Sequence, residues 1–110
     1  MDGVLYKSLL YDYYGVLLTE KQREVYAMYY LNDMSLSEIA QNSNTTPQAV
    51  SDMLKRVDKL LLKYEDSLRL VENKALVREK LGQVMLLLDS DGKDNDYKIK
   101  TYLQEIMDLV

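Results

Sequence analysis

The chain lacks both cysteine and histidine, and these two absences exclude several classes of function. Without cysteine there is no disulfide and no thiol nucleophile. Without histidine there is neither the commonest acid–base catalyst nor an ordinary zinc site. The four glycines are isolated in the sequence, so no Gly-rich phosphate loop is present. We therefore expect no enzymatic function, no cofactor and no metal site.

Long apolar runs are also absent. No stretch approaches the length that a membrane-spanning helix needs, and the first ten residues lack the basic start and apolar core of a signal peptide. Hydrophobic residues nevertheless make up 47% of the 110 residues, which is typical of a globular chain. We expect a cytoplasmic protein with no membrane partner.

Residues 35–57 have the pattern of two short helices joined by a polar turn. Ser35 and Glu38 form a capping box at the start of the first helix. Asn44 stands where the turn needs a residue that tolerates the left-handed conformation. Thr46 and Pro47 are a hydroxyl cap and a favourable first residue for the second helix. The predicted buried residues are Leu36, Ile39, Ala40, Val50, Met53, Leu54 and Val57. This pattern predicts a helix-turn-helix.

Further amphipathic segments flank the motif. Residues 2–14 predict a first helix, with Gly15 as its stop and Val16 packing back on it. A capping box at Thr19 predicts a supporting helix to about Leu31, with an inner face of Val25, Met28 and Tyr29. Residues 97–110 predict a last helix. The acidic segment 89–96 lacks the ligand spacing of a calcium loop, and we interpret it as a solvated connector. Because Phe and Trp are absent, the tyrosines are expected to pack in the core.

The apolar pattern of the second motif helix continues beyond the motif at spacings of four and three. It forms a candidate partner or dimer seam of Leu54, Val57, Leu61, Tyr64, Leu68 and Val71. We predict that this seam packs on the C-terminal hairpin or across a homodimer interface. One straight helix to Leu88 would be about 60 Å long, so a break near residues 66–67 or near Asn73 is expected.

The predicted fold is all-α, with five or six helices in a single domain of residues 1–110. Residues 18–65 form the helix-turn-helix unit and residues 66–110 form a C-terminal helical hairpin. In such motifs the exposed start of the second helix reaches base edges in DNA. The candidate DNA-binding residues are Thr46, Gln48, Ala49, Ser51, Asp52, Lys55, Arg56 and Lys59.

Charge argues against tight DNA binding. The whole chain has a net charge of −4, and the basic and acidic residues within 19–63 balance. Gln48 suits adenine, whereas the carboxylate of Asp52 would face phosphate repulsion. Lys55, Arg56 and Lys59 are placed for phosphates, and Lys21 and Arg23 of the supporting helix could add to them.

The residues of the motif also carry a resemblance. The stretches LTEKQREV from Leu18, SLSEIA from Ser35 and QAVSDMLKRV from Gln48 are similar to region four of bacterial sigma factors. That family has several arginines in the first turns of its recognition helix, and residues 47–53 here contain none. Together with the tyrosine-rich N-terminus, the chain resembles the YlxM family of small bacterial helix-turn-helix proteins. Unlike winged-helix proteins, these have a sigma region four-like motif.

The resemblance implies a regulatory helix-turn-helix protein acting in the signal recognition particle pathway, because the family is encoded beside the genes of that particle. It also implies the signal recognition particle protein or its RNA as a partner. Two interpretations stay open from the sequence. One is a DNA-binding regulator. The other is a protein-interaction module in which DNA binding is weak or lost.

Overall fold

The structure is a computed structural model that describes residues 3–90 and 95–110. These residues form six α-helices and one 3-10 turn, with no strand among them. The helices are α1 (Gly3–Tyr14), α2 (Glu20–Tyr30), α3 (Leu36–Asn42), α4 (Pro47–Leu68), α5 (Leu70–Leu88) and α6 (Asn95–Leu109), and the 3-10 turn is Gly15–Leu17. The predicted all-α class is confirmed. None of the described helices is long and apolar enough to cross a membrane.

The chain divides into two compact units, Met1–Leu68 and Arg69–Val110. The first unit contains α1 to α4, and α1, α2 and α3 each pack on α4. Its buried hydrophobic residues are Leu10, Tyr14, Leu18, Val25, Tyr26, Ile39, Ala40, Val50, Leu54, Val57 and Leu61. α4, which is the candidate recognition helix, is therefore the central helix of this unit. Its position is fixed by the core that it forms with α1, α2 and α3.

The local signals of the helix-turn-helix are confirmed. The Ser35 side chain accepts a hydrogen bond from the Glu38 amide at 3.1 Å, and the Glu38 carboxylate accepts one from the Ser35 amide at 3.2 Å. Asn44 is left-handed with a φ of 56°. The Thr45 amide donates to the Ala40 carbonyl at 3.0 Å, which is the hydrogen bond of a Schellman turn.

The inner face of α2 differs from the prediction. Tyr26 is 1% exposed and Tyr29 is 36% exposed, so the buried tyrosine is Tyr26 and the choice of Tyr29 was wrong. The physical reason is the partner from α1: the ring of Tyr11 stacks on Tyr26 with centroids 5.5 Å apart. Tyr14 is also 1% exposed, so two tyrosines do pack in the core as expected.

Gly15 ends α1 for a different reason from the one predicted. No glycine among the described residues has a positive φ, and the chain continues as a 3-10 turn. Val16 is 75% exposed, so its predicted packing on the helix is wrong. A Cβ on Gly15 would lie 3.4 Å from the Tyr11 ring. The small residue therefore lets this ring approach the backbone closely.

The long amphipathic pattern does not form one seam. α4 ends at Leu68, Arg69 is left-handed with a φ of 53°, and α5 begins at Leu70. The break thus lies between the two predicted places. Leu54, Val57 and Leu61 are core residues of the first unit, and their burial makes them unavailable to a dimer interface.

The remaining seam residues are divided among three environments. Tyr64 is half-buried, with its ring 6.1 Å from that of Tyr14. Leu68 is 50% exposed, whereas Val71 is buried but belongs to the second unit. The predicted seam is therefore not a continuous surface.

The second unit is a hairpin of α5 and α6. The side-chain amide of Asn73 donates to the Leu109 carbonyl at 3.5 Å near the open end. Lys80 and Glu105 form an ion pair at 2.7 Å near the middle. The half-buried or buried residues along the contact include Val77, Val84, Ile99, Tyr102 and Ile106. Residues 91–94 of the predicted connector lie outside the described residues.

Candidate nucleic-acid interface

The predicted DNA-binding residues lie along the outer side of α4, apart from Thr46, which precedes the helix. Seven of the eight are exposed and one, Ser51, is half-buried. The exposed seven are Thr46, Gln48, Ala49, Asp52, Lys55, Arg56 and Lys59. On a helix, residues three and four apart lie on one side, so positions 48, 52, 55, 56 and 59 form a single stripe. The structure therefore brings most of the predicted residues together.

Thr46 has a structural role at the start of α4. Its hydroxyl oxygen accepts a hydrogen bond from the Ala49 amide at 3.1 Å. An N-cap of this kind satisfies one of the donors that the first turn leaves unpaired. The side chain of Thr46 is therefore engaged with its own helix.

Gln48 and Asp52 are joined to each other. The Gln48 side-chain amide donates to the Asp52 carboxylate at 3.0 Å, and both residues are exposed. Their spacing of four residues is the signal in the sequence that could have revealed this pair. Because reading adenine needs the same amide group, the pair competes with base recognition.

A stripe of four basic residues follows the pair. Lys55, Arg56, Lys59 and Lys63 are all exposed. Within residues 3–90 and 95–110, none of the four forms an ion pair. Lys63 extends the set by one turn and was missing from the predicted site. We call these four residues the α4 basic stripe.

The acidic residues of α4 differ from its basic residues in exposure. The balance of charge counted from the sequence therefore does not describe the exposed surface of α4. Asp58 faces α1 and lies 3.3 Å from the ammonium of Lys7. Glu65 is 7% exposed, and its carboxylate accepts a hydrogen bond from the Tyr14 hydroxyl. Only Asp52 and Asp66 among the acidic residues of α4 are exposed. The four basic residues therefore outnumber the exposed acidic residues of α4 by two.

Asp58 belongs to a polar cluster that joins three helices. Lys7 of α1 donates to the Tyr30 hydroxyl of α2 at 2.8 Å and to Asp58 of α4. The hydrogen bond to Tyr30 raises the pKa of Lys7 against the opposing effect of burial, and the charge of Asp58 adds to the rise. Burial, together with the charge of Asp58, raises the pKa of the Tyr26 hydroxyl. The hydrogen bonds of Lys7 thus connect α1 with both α2 and α4.

The two basic residues of α2 differ in exposure. Lys21 is exposed in the first turn of α2, whereas Arg23 is half-buried. The Arg23 carbonyl accepts from the Tyr11 hydroxyl at 3.5 Å. Lys21 is therefore the more accessible of the two for a phosphate.

The family model of UPF0122, described as "Putative helix-turn-helix protein, YlxM / p13 like", matches residues 1–106. The chain belongs to this family. A UPF0122 protein of Clostridium kluyveri is 45% identical over 107 residues, which cover 94% of this chain and 96% of the relative. One of Thermoanaerobacter sp. is 46% identical, covering 96% and 91%. One of Clostridium botulinum is 52% identical over 96 residues, covering 87% and 85%.

Proposed function

We propose that this helix-turn-helix protein is a regulatory protein that binds duplex DNA through the outer side of α4. The proposal rests on which charged side chains of that helix are exposed to solvent. The α4 basic stripe faces solvent, whereas Asp58 and Glu65 are turned towards the first unit's own helices. A phosphate backbone approaching α4 would therefore meet mostly positive charge, although the whole chain is acidic.

The binding is expected to be weak and nearly independent of sequence. Base contacts give specificity, and phosphate contacts give position and affinity. Here the basic residues begin at Lys55, beyond the first turns of α4. In those turns Gln48 is held by Asp52. We expect a dissociation constant of about micromolar or weaker at physiological salt, which is the non-specific range.

Fluorescence anisotropy with a labelled random duplex tests the proposal. If four phosphates are neutralised, raising the salt from about 50 to about 200 mM lowers the affinity by roughly a hundredfold. Affinity that is independent of salt would contradict phosphate binding. Tight and sequence-selective binding at physiological salt would contradict the non-specific mode and indicate a dedicated transcription factor.

Removing two basic side chains of α4 tests where the DNA binds. Lys55→Ala with Arg56→Ala should reduce the slope of log affinity against log salt by about two, because two phosphate contacts are lost. The matched control is Lys98→Glu, which makes the same change of net charge at one exposed position of α6 outside the α4 basic stripe. Equal losses in both variants would show a general charge effect and exclude α4 as the site.

Removing the Asp52 carboxylate from the outer side of α4 should strengthen DNA binding. Asp52→Asn takes away a negative charge near the groove, and we expect an affinity several-fold higher at low salt. Asp12→Asn, at an exposed position of α1, is the control with the same charge change. If Asp52→Asn has no effect beyond the control, α4 does not face DNA.

A second candidate is a protein-interaction module in the signal recognition particle pathway. The Gln48–Asp52 pair and the lack of a basic residue in positions 47–53 favour it, because both weaken base reading. The proposed partner is the signal recognition particle protein or its RNA, and the family resemblance supports this choice. Pull-downs with each purified component at low salt test it. The Lys55→Ala, Arg56→Ala variant should lose the RNA and retain the protein.

A further inference from the structure

The second unit has apolar side chains that its own hairpin does not cover. On α5, Leu81, Met85 and Leu88 are 42%, 66% and 67% exposed, and on α6, Leu103 and Met107 are 42% and 67% exposed. The α5 residues are spaced by four and three and the α6 residues by four, so each group forms a stripe along one side of its helix.

Both stripes lie on the same side of the hairpin. The opposite side is marked by a cleft that Gln83 of α5 and Tyr97 and Thr101 of α6 help to line. At 100° per residue, Met85 lies on the other side of the α5–α6 contact from Gln83. Leu103 lies likewise on the other side of that contact from Thr101. The five residues together make one apolar face, which we call the hairpin face.

The hairpin face has the dimensions of a small protein interface. α6 has 15 residues and is therefore about 22 Å long, and two packed helices are roughly 20 Å wide. Such a face offers a few hundred Å² per copy, at the low end of specific interfaces. A contiguous apolar patch of this kind on a small chain marks a site of association.

Charges at the two ends of the hairpin face indicate what covers it. Arg78, exposed on α5, lies towards the open end of the hairpin, one turn before the apolar stripe. Asp89 and Asp96, also exposed, lie at the closed end. Lys100 lies on the same side of α6, nearer the middle. Two such faces in antiparallel contact would place the basic end of each copy over the acidic end of the other.

We propose that the hairpin face is a homodimer interface, in which two copies of this chain pack hairpin against hairpin about a two-fold axis. A two-fold contact requires a self-complementary surface. The hairpin face meets this requirement in both respects, since it is apolar and since it carries a basic residue towards its open end and acidic residues at its closed end. This dimer differs from one along α4, where Leu54, Val57 and Leu61 are buried in the core of the first unit.

Sedimentation equilibrium of the full chain, from about micromolar to hundreds of micromolar, tests the dimer. Met85→Lys with Met107→Lys should raise the dimer dissociation constant by about a hundredfold or more, because two apolar contacts of the hairpin face become charged. Gln83→Lys with Thr101→Lys adds the same charge to the same helices at exposed positions that line the cleft on the opposite side, and it should change the dissociation constant little. Circular dichroism checks that both variants remain helical.

A charge swap tests the antiparallel pairing directly. Arg78→Glu alone, or Asp89→Lys with Asp96→Lys alone, should each weaken self-association by about tenfold or more, since like charges then face each other. Mixing these two variants should restore dimers, because both ends of the heterodimer are again of opposite charge. If these residues only stabilised the fold of each chain, mixing the two variants would not restore dimers.

Three outcomes would overturn the proposal. One is a monomer at all concentrations. Another is a monomer in which Met85→Lys with Met107→Lys lowers the melting temperature, which would indicate that these side chains are covered within a single chain. The last is a dimer that the control pair weakens as much as the methionine pair, which would place the interface elsewhere.

Discussion

The two units bury their side chains to very different extents. In the first, four helices enclose a core in which Ile39, Val57 and Leu61 have no exposed surface. In the second, Val71 and Val84 are the buried residues among those described, and α6 has none. Hydrophobic burial is the main favourable term in folding. The first unit is therefore stabilised mainly from within, whereas the hairpin keeps much of its apolar surface available for association.

The largest contrast is expected from the same substitution in the two units. Leu61→Ala should destabilise the first unit by about 2–5 kcal/mol, because it leaves a cavity in a closed core. Leu86→Ala removes the same atoms from a position of α5 outside the hairpin face that is 65% exposed and should cost less than about 1.5 kcal/mol. Urea unfolding followed by circular dichroism measures both. Similar losses would show that the two units are equally packed.

The buried hydrogen bond of the first unit gives the next largest effect. In Tyr14→Phe the carboxylate of Glu65 loses the hydroxyl donor, and a buried charged acceptor without that donor costs about 1.5–3 kcal/mol. Tyr11→Phe is the control, since the Tyr11 hydroxyl only reaches the Arg23 carbonyl at 3.5 Å; its cost should stay below about 1 kcal/mol. Equal costs in urea unfolding would mean that Glu65 has adequate donors without Tyr14.

Local signals in the sequence predicted the helix-turn-helix closely. The caps at Thr19, Ser35 and Thr46 and the left-handed Asn44 each depend on residues a few positions away, so the sequence contains them in full. The same holds for the spacing of the exposed residues on α4. The candidate surface could therefore be placed before the structure was known.

Features that depend on distant partners could not be predicted. Whether Asp58 faces solvent or Lys7 depends on where α1 packs, 51 residues away in the chain, and this decides the charge of α4. The choice between Tyr26 and Tyr29 depends on the stacked ring of Tyr11. Arg69 stopped α4 although neither glycine nor proline is present there. In each case the periodicity allowed two answers, and tertiary contacts selected one.

Alkaline pH should weaken the first unit through Tyr26. An unfolded tyrosine releases its proton near its ordinary pKa of 10.0, whereas the buried Tyr26 keeps it. Above pH 10 the unfolded state binds fewer protons, so stability falls as the pH rises. By about pH 11 the loss should reach roughly 1.4 kcal/mol. Unfolding of Tyr26→Phe should show a shallower pH dependence between about pH 9 and 11.

Two other contributions to the pH dependence must be separated from that of Tyr26. Lys7, whose pKa is also raised, loses its contribution in the same direction above its ordinary value of 10.5, but it does so in both proteins and cancels in the comparison. The matched control is Tyr97→Phe, which removes one hydroxyl at a position that is 79% exposed and lies outside the core. If it flattens the curve as Tyr26→Phe does, the effect belongs to tyrosine content and not to the core.

The smallest expected effect is a gain of stability in the hairpin. Gly82 lies in the middle of α5, exposed, and a Cβ there would meet no atom within 4 Å. Gly82→Ala should therefore stabilise the second unit by about 0.5–1 kcal/mol, because alanine loses less backbone entropy in a helix. Gly15→Ala, whose Cβ would lie 3.4 Å from the Tyr11 ring, should not give this gain. Amide hydrogen exchange resolves the two units, and slower exchange confined to α5 and α6 in Gly82→Ala is the expected result. Slower exchange spread equally over α1 to α4 would contradict the separate stabilisation of the two units.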